Sequence, residues 1–323
     1  MQDYFFEKEG LILKNGYPFL LRAAFKDYLW GGTRLRDSFH LPCDNLDKIA
    51  EAWVLSCHPD GESIIQNGAL AGMTLTQAVR ENPALCGAHC EKFERFPVLI
   101  KLIDAKDNLS VQVHPADDYA LQHENEYGKT EMWYVIDCEP GAYLYYGFQR
   151  SITKEQLQNC IAQNTLDTVL NKVMVHPGDC LFIRAGTVHA IGAGILIAEI
   201  QQNSNTTYRV YDYGRTGADG APRPLHIPQA LDVAICDRPA DPVLHQTETG
   251  PLFGCDYFQT SLLNVDGSAK ITTDAASFCA LLIVSGSCTV DGVRCNAGQC
   301  IFLPAGYGCA ALAGNARIIV TDI

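Results

Sequence analysis

GDCLFIRAGTVH at 178–189 and GQCIFLPAGYGC at 298–309 align without a gap. Each has a turn glycine, a Cys-aliphatic-Phe-aliphatic run and an Ala-Gly turn. Repeated self-similarity marks repeated architecture, so the chain carries two copies of one β unit. The first copy ends in His189 and the second in Cys309.

Outward from the first copy, apolar or alternating runs of strand length follow one another at 98–103, 110–114, 131–137, 142–147, 180–184 and 195–201. One clear helix interrupts them, at 153–170, with apolar positions at Leu157, Ile161, Leu166 and Leu170. A second helix is expected after Pro228, a favourable first-turn residue. Upstream, Asn15-Gly16 inside an alternating stretch predicts a hairpin over 10–24. A short strand at 52–56 and a helix at 74–80 read as a decorated insertion. Beyond the second proline of DRPADP at 237–242, a linker signature, strands are expected at 258–265, 280–284, 288–290 and 301–304. Many short strands with few helices indicate an all-β fold with helical insertions. The expected domains are 1–236 and 243–323.

At 323 residues and 47% apolar content the chain can bury sizeable cores. Its formal charge of −13 argues against nucleic acid or an anionic membrane as partner. An anionic small molecule would need a local basic pocket. No membrane-length apolar run or leader pattern is present, and fourteen scattered cysteines suit reduced thiols in a cytoplasm. The tightest cysteine group, at 86–90, lacks a second pair of soft ligands for structural zinc.

Residues two apart on a strand share a face, so Gln112 and His114 present an amide and an imidazole to one side. Lys129 and Glu131 form a second such pair, and His189 follows a glycine turn that lets the chain approach a pocket. Each has an ordinary reading as a polar surface or a satisfied core residue. Together, Gln112, His114, Glu131 and His189 suit one zinc ion per chain, or a neighbouring divalent transition metal, better than calcium. The spacings are compatible with a metal site without being unique to one.

SVQVHPAD at 110–117, GKTEMW at 128–133, GTVHA at 186–190 and QQNSNTTYR at 201–209, with Phe25-Lys26 and Trp30-Gly31-Gly32-Thr33, resemble type I mannose-6-phosphate isomerases. The resemblance implies two cupin (jelly-roll) β-domains and a metalloenzyme interconverting mannose 6-phosphate and fructose 6-phosphate. It carries metal ligation onto Gln112, His114, Glu131 and His189, a catalytic role onto Arg209, and substrate contacts onto Ser110 and Lys129. Two positions depart from the family pattern: Arg184 stands where the turn usually has proline, and Cys309 where a ligand histidine could stand. The later domain is therefore expected to bind no metal. A non-catalytic sugar-phosphate sensor and an iron oxygenase are the competing readings. The oligomeric state has no signature in the sequence.

Overall fold

The computed structural model describes residues 5–7, 10–12, 16–43, 46–217 and 220–323. They form two compact units, one of residues 1–26, 33–102 and 246–323, the other of 27–32 and 103–245.

In the second unit, five antiparallel strands run in the spatial order Leu170–Met174, Tyr143–Phe148, His189–Ile191, Val111–Val113 and Tyr208–Tyr211. A second layer holds Leu244–His245, Asp179–Ile183, Glu131–Cys138 and Ile195–Gln202 as successive antiparallel neighbours. Asp179–Ile183 and Ile195–Gln202 are buried at every residue, as strands covered on both faces should be. The five-stranded sheet alternates instead. Val111 and Val113 enter an apolar cluster with Phe148, Leu157, Leu170 and Val188, while Gln112 between them faces the other way.

The helix expected over 153–170 is shorter. Thr153 and Gln156 form a reciprocal capping box at its start, and the helix runs only over Lys154–Ala162. Asn164 takes a left-handed backbone, φ 58°, which ends an α-helix. Leu166 then lies in a single 3₁₀ turn and Leu170 begins a strand. Both leucines are still buried, so their helical spacing reflected a shared core and not a shared helix. The helix after residue 226 is Ile227–Val233, with Pro228 in its first turn.

In the first unit one antiparallel sheet contains Gly250–Cys255, Phe258–Thr273, Gly308–Asp322, Cys279–Val290, Cys300–Leu303, Phe19–Arg22 and Ile64–Ile65 in that order. Sequence reading missed the Gly308–Asp322 strand altogether. Its GCAALAGNA opening is poor in β-formers, but backbone pairing on both sides holds it in the ladder. The neighbouring strands also run further than their apolar centres suggested, over 16 and 12 residues.

Phe19–Arg22 pairs with Cys300–Phe302 on one edge and Ile64–Ile65 on the other, and Phe19 stacks on Phe302 at 5.8 Å. Amino-terminal segments thus complete the sheet of the carboxyl-terminal segment, a partition different from one cut near residue 240. The hairpin expected at Asn15-Gly16 has its first turn residue outside the described residues. Gly10–Ile12 pairs with Phe5–Glu7. The strand at 52–56 is observed as Glu51–Leu55 and the helix at 74–80 as Leu75–Glu81, capped by Thr74. Among the described residues, no helix is long and apolar enough to cross a membrane.

Candidate metal centre

Strand register builds one row across the inner face of the five-stranded sheet. Tyr146 lies opposite His189, His189 opposite Gln112, and Gln112 opposite Arg209. Directly opposed residues share a face, so three of the residues singled out in the sequence are side by side. His114, two residues after Gln112, joins them. Glu131 comes from the second layer, where it pairs with Ile183 and Gln201.

His114, Glu131 and His189 are all buried, with candidate ligand atoms within 4.8 Å of one another. His114 Nε2 is 3.1 Å from Glu131 Oε1, and His189 Nε2 is 4.0 Å from Glu131 Oε2. Each imidazole is oriented from behind: Nδ1 of His114 lies 2.8 Å from the Thr206 carbonyl, and Nδ1 of His189 lies 2.8 Å from that of Thr187. Donation to those carbonyls leaves both Nε2 lone pairs aimed at the centre, the arrangement metal-binding histidines adopt.

The Thr206 loop is itself pinned. Glu126 Oε2 accepts hydrogen bonds from Ser204 Oγ and the Asn205 N–H, both at 2.9 Å. On the other side, Gly186 with φ 87° donates its N–H to the His114 carbonyl at 2.7 Å. A Cβ at Gly186 would meet Ile235 at 2.7 Å, so glycine is needed there for conformation and for space.

Gln112 Nε2 is 3.4 Å from His189 Nε2, and Ser110 Oγ donates to Gln112 Oε1 at 3.5 Å. A half-turn of the amide would turn its oxygen toward His189 Nε2 in place of the nitrogen. Lys129 Nζ lies 2.7 Å from Glu131 Oε1, 3.4 Å from His114 Nε2 and 3.8 Å from Glu199 Oε1.

Glu199 was not singled out from sequence. Its signal was available: it is the lone charge in the apolar run ILIAEI at 195–200. Trp133 joins the two carboxylates, its Nε1–H reaching Glu131 Oε2 at 2.8 Å and Glu199 Oε2 at 3.0 Å. Trp133→Phe removes a donor shared by two buried charges. It is expected to lower unfolding stability by about 2–4 kcal/mol, read as a lower urea midpoint with unchanged slope. An unchanged midpoint would mean that the two carboxylates are satisfied without the indole.

Burial pushes the His114 imidazole down to about 3, with the Lys129 charge adding to the effect. Burial likewise lowers His189. Burial alone would raise the Glu131 carboxyl, but the adjacent Lys129 ammonium holds it well below the usual range. Two neutral imidazoles, two carboxylates and one ammonium leave a net negative, buried centre. Glu131 Oε1 accepts no well-aligned hydrogen bond even with the Lys129 ammonium 2.7 Å away. Donor set, tautomers and charge all fit a divalent transition metal.

Arg209 stands beside this centre. Its Nη1 donates to the Pro224 carbonyl at 3.0 Å, while its Nε is buried without a partner. Burial lowers the guanidinium, as does the nearby charge of Arg223. Arg223 and Arg215 both pair with Asp212. Three arginines around one carboxylate make a local positive patch in a chain of charge −13. Arg184, the departure from the turn pattern, reaches away to Asp241 in a two-point ion pair at 2.6 and 2.9 Å. The cysteine group at 86–90 lies in the other unit.

Residues 19–136 match the family described as phosphomannose isomerase type I, catalytic domain. The probable mannose-6-phosphate isomerase GmuF of Bacillus subtilis (strain 168) is 38% identical over 94% of this chain and 99% of its own length. The mannose-6-phosphate isomerase of Streptococcus mutans is 41% identical over 80% of this chain and 82% of its own. The crystal structure of mannose 6-phosphate isomerase from B. subtilis superposes with a TM-score of 0.83 at 32% identity, covering 95% of this chain and 99% of that one.

Proposed function

Given that this chain belongs to the type I mannose-6-phosphate isomerases, metal-dependent enzymes on a cupin fold that interconvert mannose 6-phosphate and fructose 6-phosphate, we propose that its metal is one zinc ion held by Gln112, His114, Glu131 and His189. The observation that carries this reading is the convergence of two back-oriented imidazoles on a buried carboxylate. Bound zinc would polarise the sugar carbonyl as a Lewis acid.

The chain's own residues then have distinct tasks. Aldose-ketose isomerisation moves a proton between adjacent carbons while negative charge grows on the oxygen of the carbonyl carbon. Arg209, adjacent to Gln112 with a free Nε–H, stabilises that oxygen. Lys129, held between Glu131 and Glu199, and Ser110, bonded to Gln112, orient the substrate hydroxyls and its phosphate. The charges of Arg209 and Arg223, which lie close to one another, supply the basic surroundings that a dianionic phosphate requires in an acidic protein. The general base is unassigned between a metal-bound water, the ligand carboxylate and another nearby carboxylate, and no feature of the site favours a non-catalytic sensor.

For residues 243–323, with Cys309 in the place of His189, the role is structural and without metal. The cytoplasm is the compartment that suits a phosphorylated substrate and fourteen unpaired thiols.

The test is isomerisation of mannose 6-phosphate by the purified enzyme before chelation, after chelation and after zinc is restored. Activity should vanish and return with zinc. A folded, zinc-loaded protein without turnover would overturn the assignment.

A further inference from the structure

The same sheet that carries the metal centre on its inner face has a hollow on its outer face. Tyr146 pairs with His189 in the metal row, so its neighbour Tyr145, opposite Ala190 and Lys172, points the other way. A β-bulge between Arg209 and Tyr211 does the same at the far edge. It leaves Arg209 opposite Gln112 and puts Tyr211 opposite Val111, on the outer face. Without the extra residue, these two side chains would share a face.

Tyr145, Tyr211 and Tyr213 wall a cavity of 330 Å³, floored by Leu166 and Leu170 and rimmed by the exposed Asn164 and Asp167. Tyr213 and Asn164 both hold a left-handed backbone, φ 58°, which bulky residues avoid. Local packing holds Tyr213 there: its ring meets Tyr211 at 4.8 Å, and the Arg215 guanidinium sits over it at 5.2 Å. Tyr143 packs edge-on against Tyr145 at 5.5 Å and carries the Lys172 ammonium at 3.7 Å.

We propose that this tyrosine-walled hollow binds a neutral saccharide, separately from the metal centre. A cationic ligand would meet Lys172 and Arg215 already seated on the tyrosine rings. An anionic ligand would meet the Asp167 carboxylate, and Arg215 is already engaged by Asp212 and the Asn108 carbonyl. What remains is a neutral molecule with apolar faces and a hydroxyl perimeter. The aromatic walls suit the C–H face of a pyranose ring. Asn164 offers both donors and an acceptor, Asp167 accepts, and the phenols do either. The volume lies at the small end of ligand pockets, roughly 300 Å³ and above, enough for a mono- or disaccharide. The inference is independent of the reaction assigned to the metal centre.

The test uses methyl α-mannopyranoside and maltose, which carry no phosphate, on zinc-loaded enzyme followed by saturation-transfer NMR. Millimolar binding is expected, with transfer strongest to ring-face protons, unaffected by excess fructose 6-phosphate. Asp167→Ala combined with Asn164→Ala, both at exposed positions, should weaken it about tenfold with kcat unchanged. Three results would overturn the proposal: no transfer to either sugar, affinity retained in the double variant, or displacement by fructose 6-phosphate, which would place the sugar at the metal centre.

Discussion

Glu131→Gln enzyme is expected to purify with little zinc and no isomerase activity, and to unfold more easily by about 3–5 kcal/mol, as when a buried ion pair loses one partner. Both effects come from one carboxylate. Its Oε1 lies 2.7 Å from Lys129 Nζ and its Oε2 accepts from Trp133. Glutamine can offer its single oxygen to one of these and must turn an N–H₂ toward the other. The Lys129 ammonium, buried at 4% exposure, would lose its 2.7 Å carboxylate contact and keep Glu199 at 3.8 Å.

Removing the proposed metal ligand should exceed the 10–100-fold affinity loss usual for outer-shell partners, so zinc content by atomic emission and the urea midpoint should fall together. Zinc lost without any loss of stability would show Lys129 re-paired with Glu199. Full zinc and full activity would remove Glu131 from the centre.

Much of this centre is legible in the sequence, and the physical reason is the period of the strand. Gln112 with His114, and Lys129 with Glu131, are two apart, so each pair must share a face wherever its strand goes. What spacing alone left open was which strands would be neighbours. His189 reaches Gln112 across 77 residues of chain through a ladder pairing, information that lies in tertiary packing. Glu199 and Trp133 escaped for another reason. Their positions look apolar by context, and only the meeting of Glu131–Cys138 with Ile195–Gln202 makes the indole bridge two carboxylates. Arg215 and Arg223 gather through a loop with no periodicity to read. The 308–322 strand was hidden because small residues with weak β preference are held there by partners on both sides. In the same way, the real end of the 153–170 helix depended on Asn164 alone.

Arg209→Ala is expected to lower kcat by about 10²–10³, the usual loss of one preorganised donor to a developing oxyanion, with zinc content unchanged. The side chain is only half-buried and is no ligand to the metal, so the urea midpoint should move little. Its Nη1 is fixed on the Pro224 carbonyl, which orients the guanidinium and leaves the buried Nε–H without a protein partner. A donor held so, beside Gln112 in the metal row, is available when charge appears.

The competing role is phosphate recognition with Arg223, and kinetics separate the two. Loss of an interaction made only in the transition state lowers kcat and kcat/KM equally, whereas loss of uniform binding raises KM alone. Arg209→Lys sharpens the distinction. Lysine keeps the charge but not the planar fork, so it should recover much of an electrostatic phosphate contact and little of a directed Nε–H bond. Unchanged kinetics in the alanine variant would take Arg209 out of both roles and leave the phosphate to Arg223.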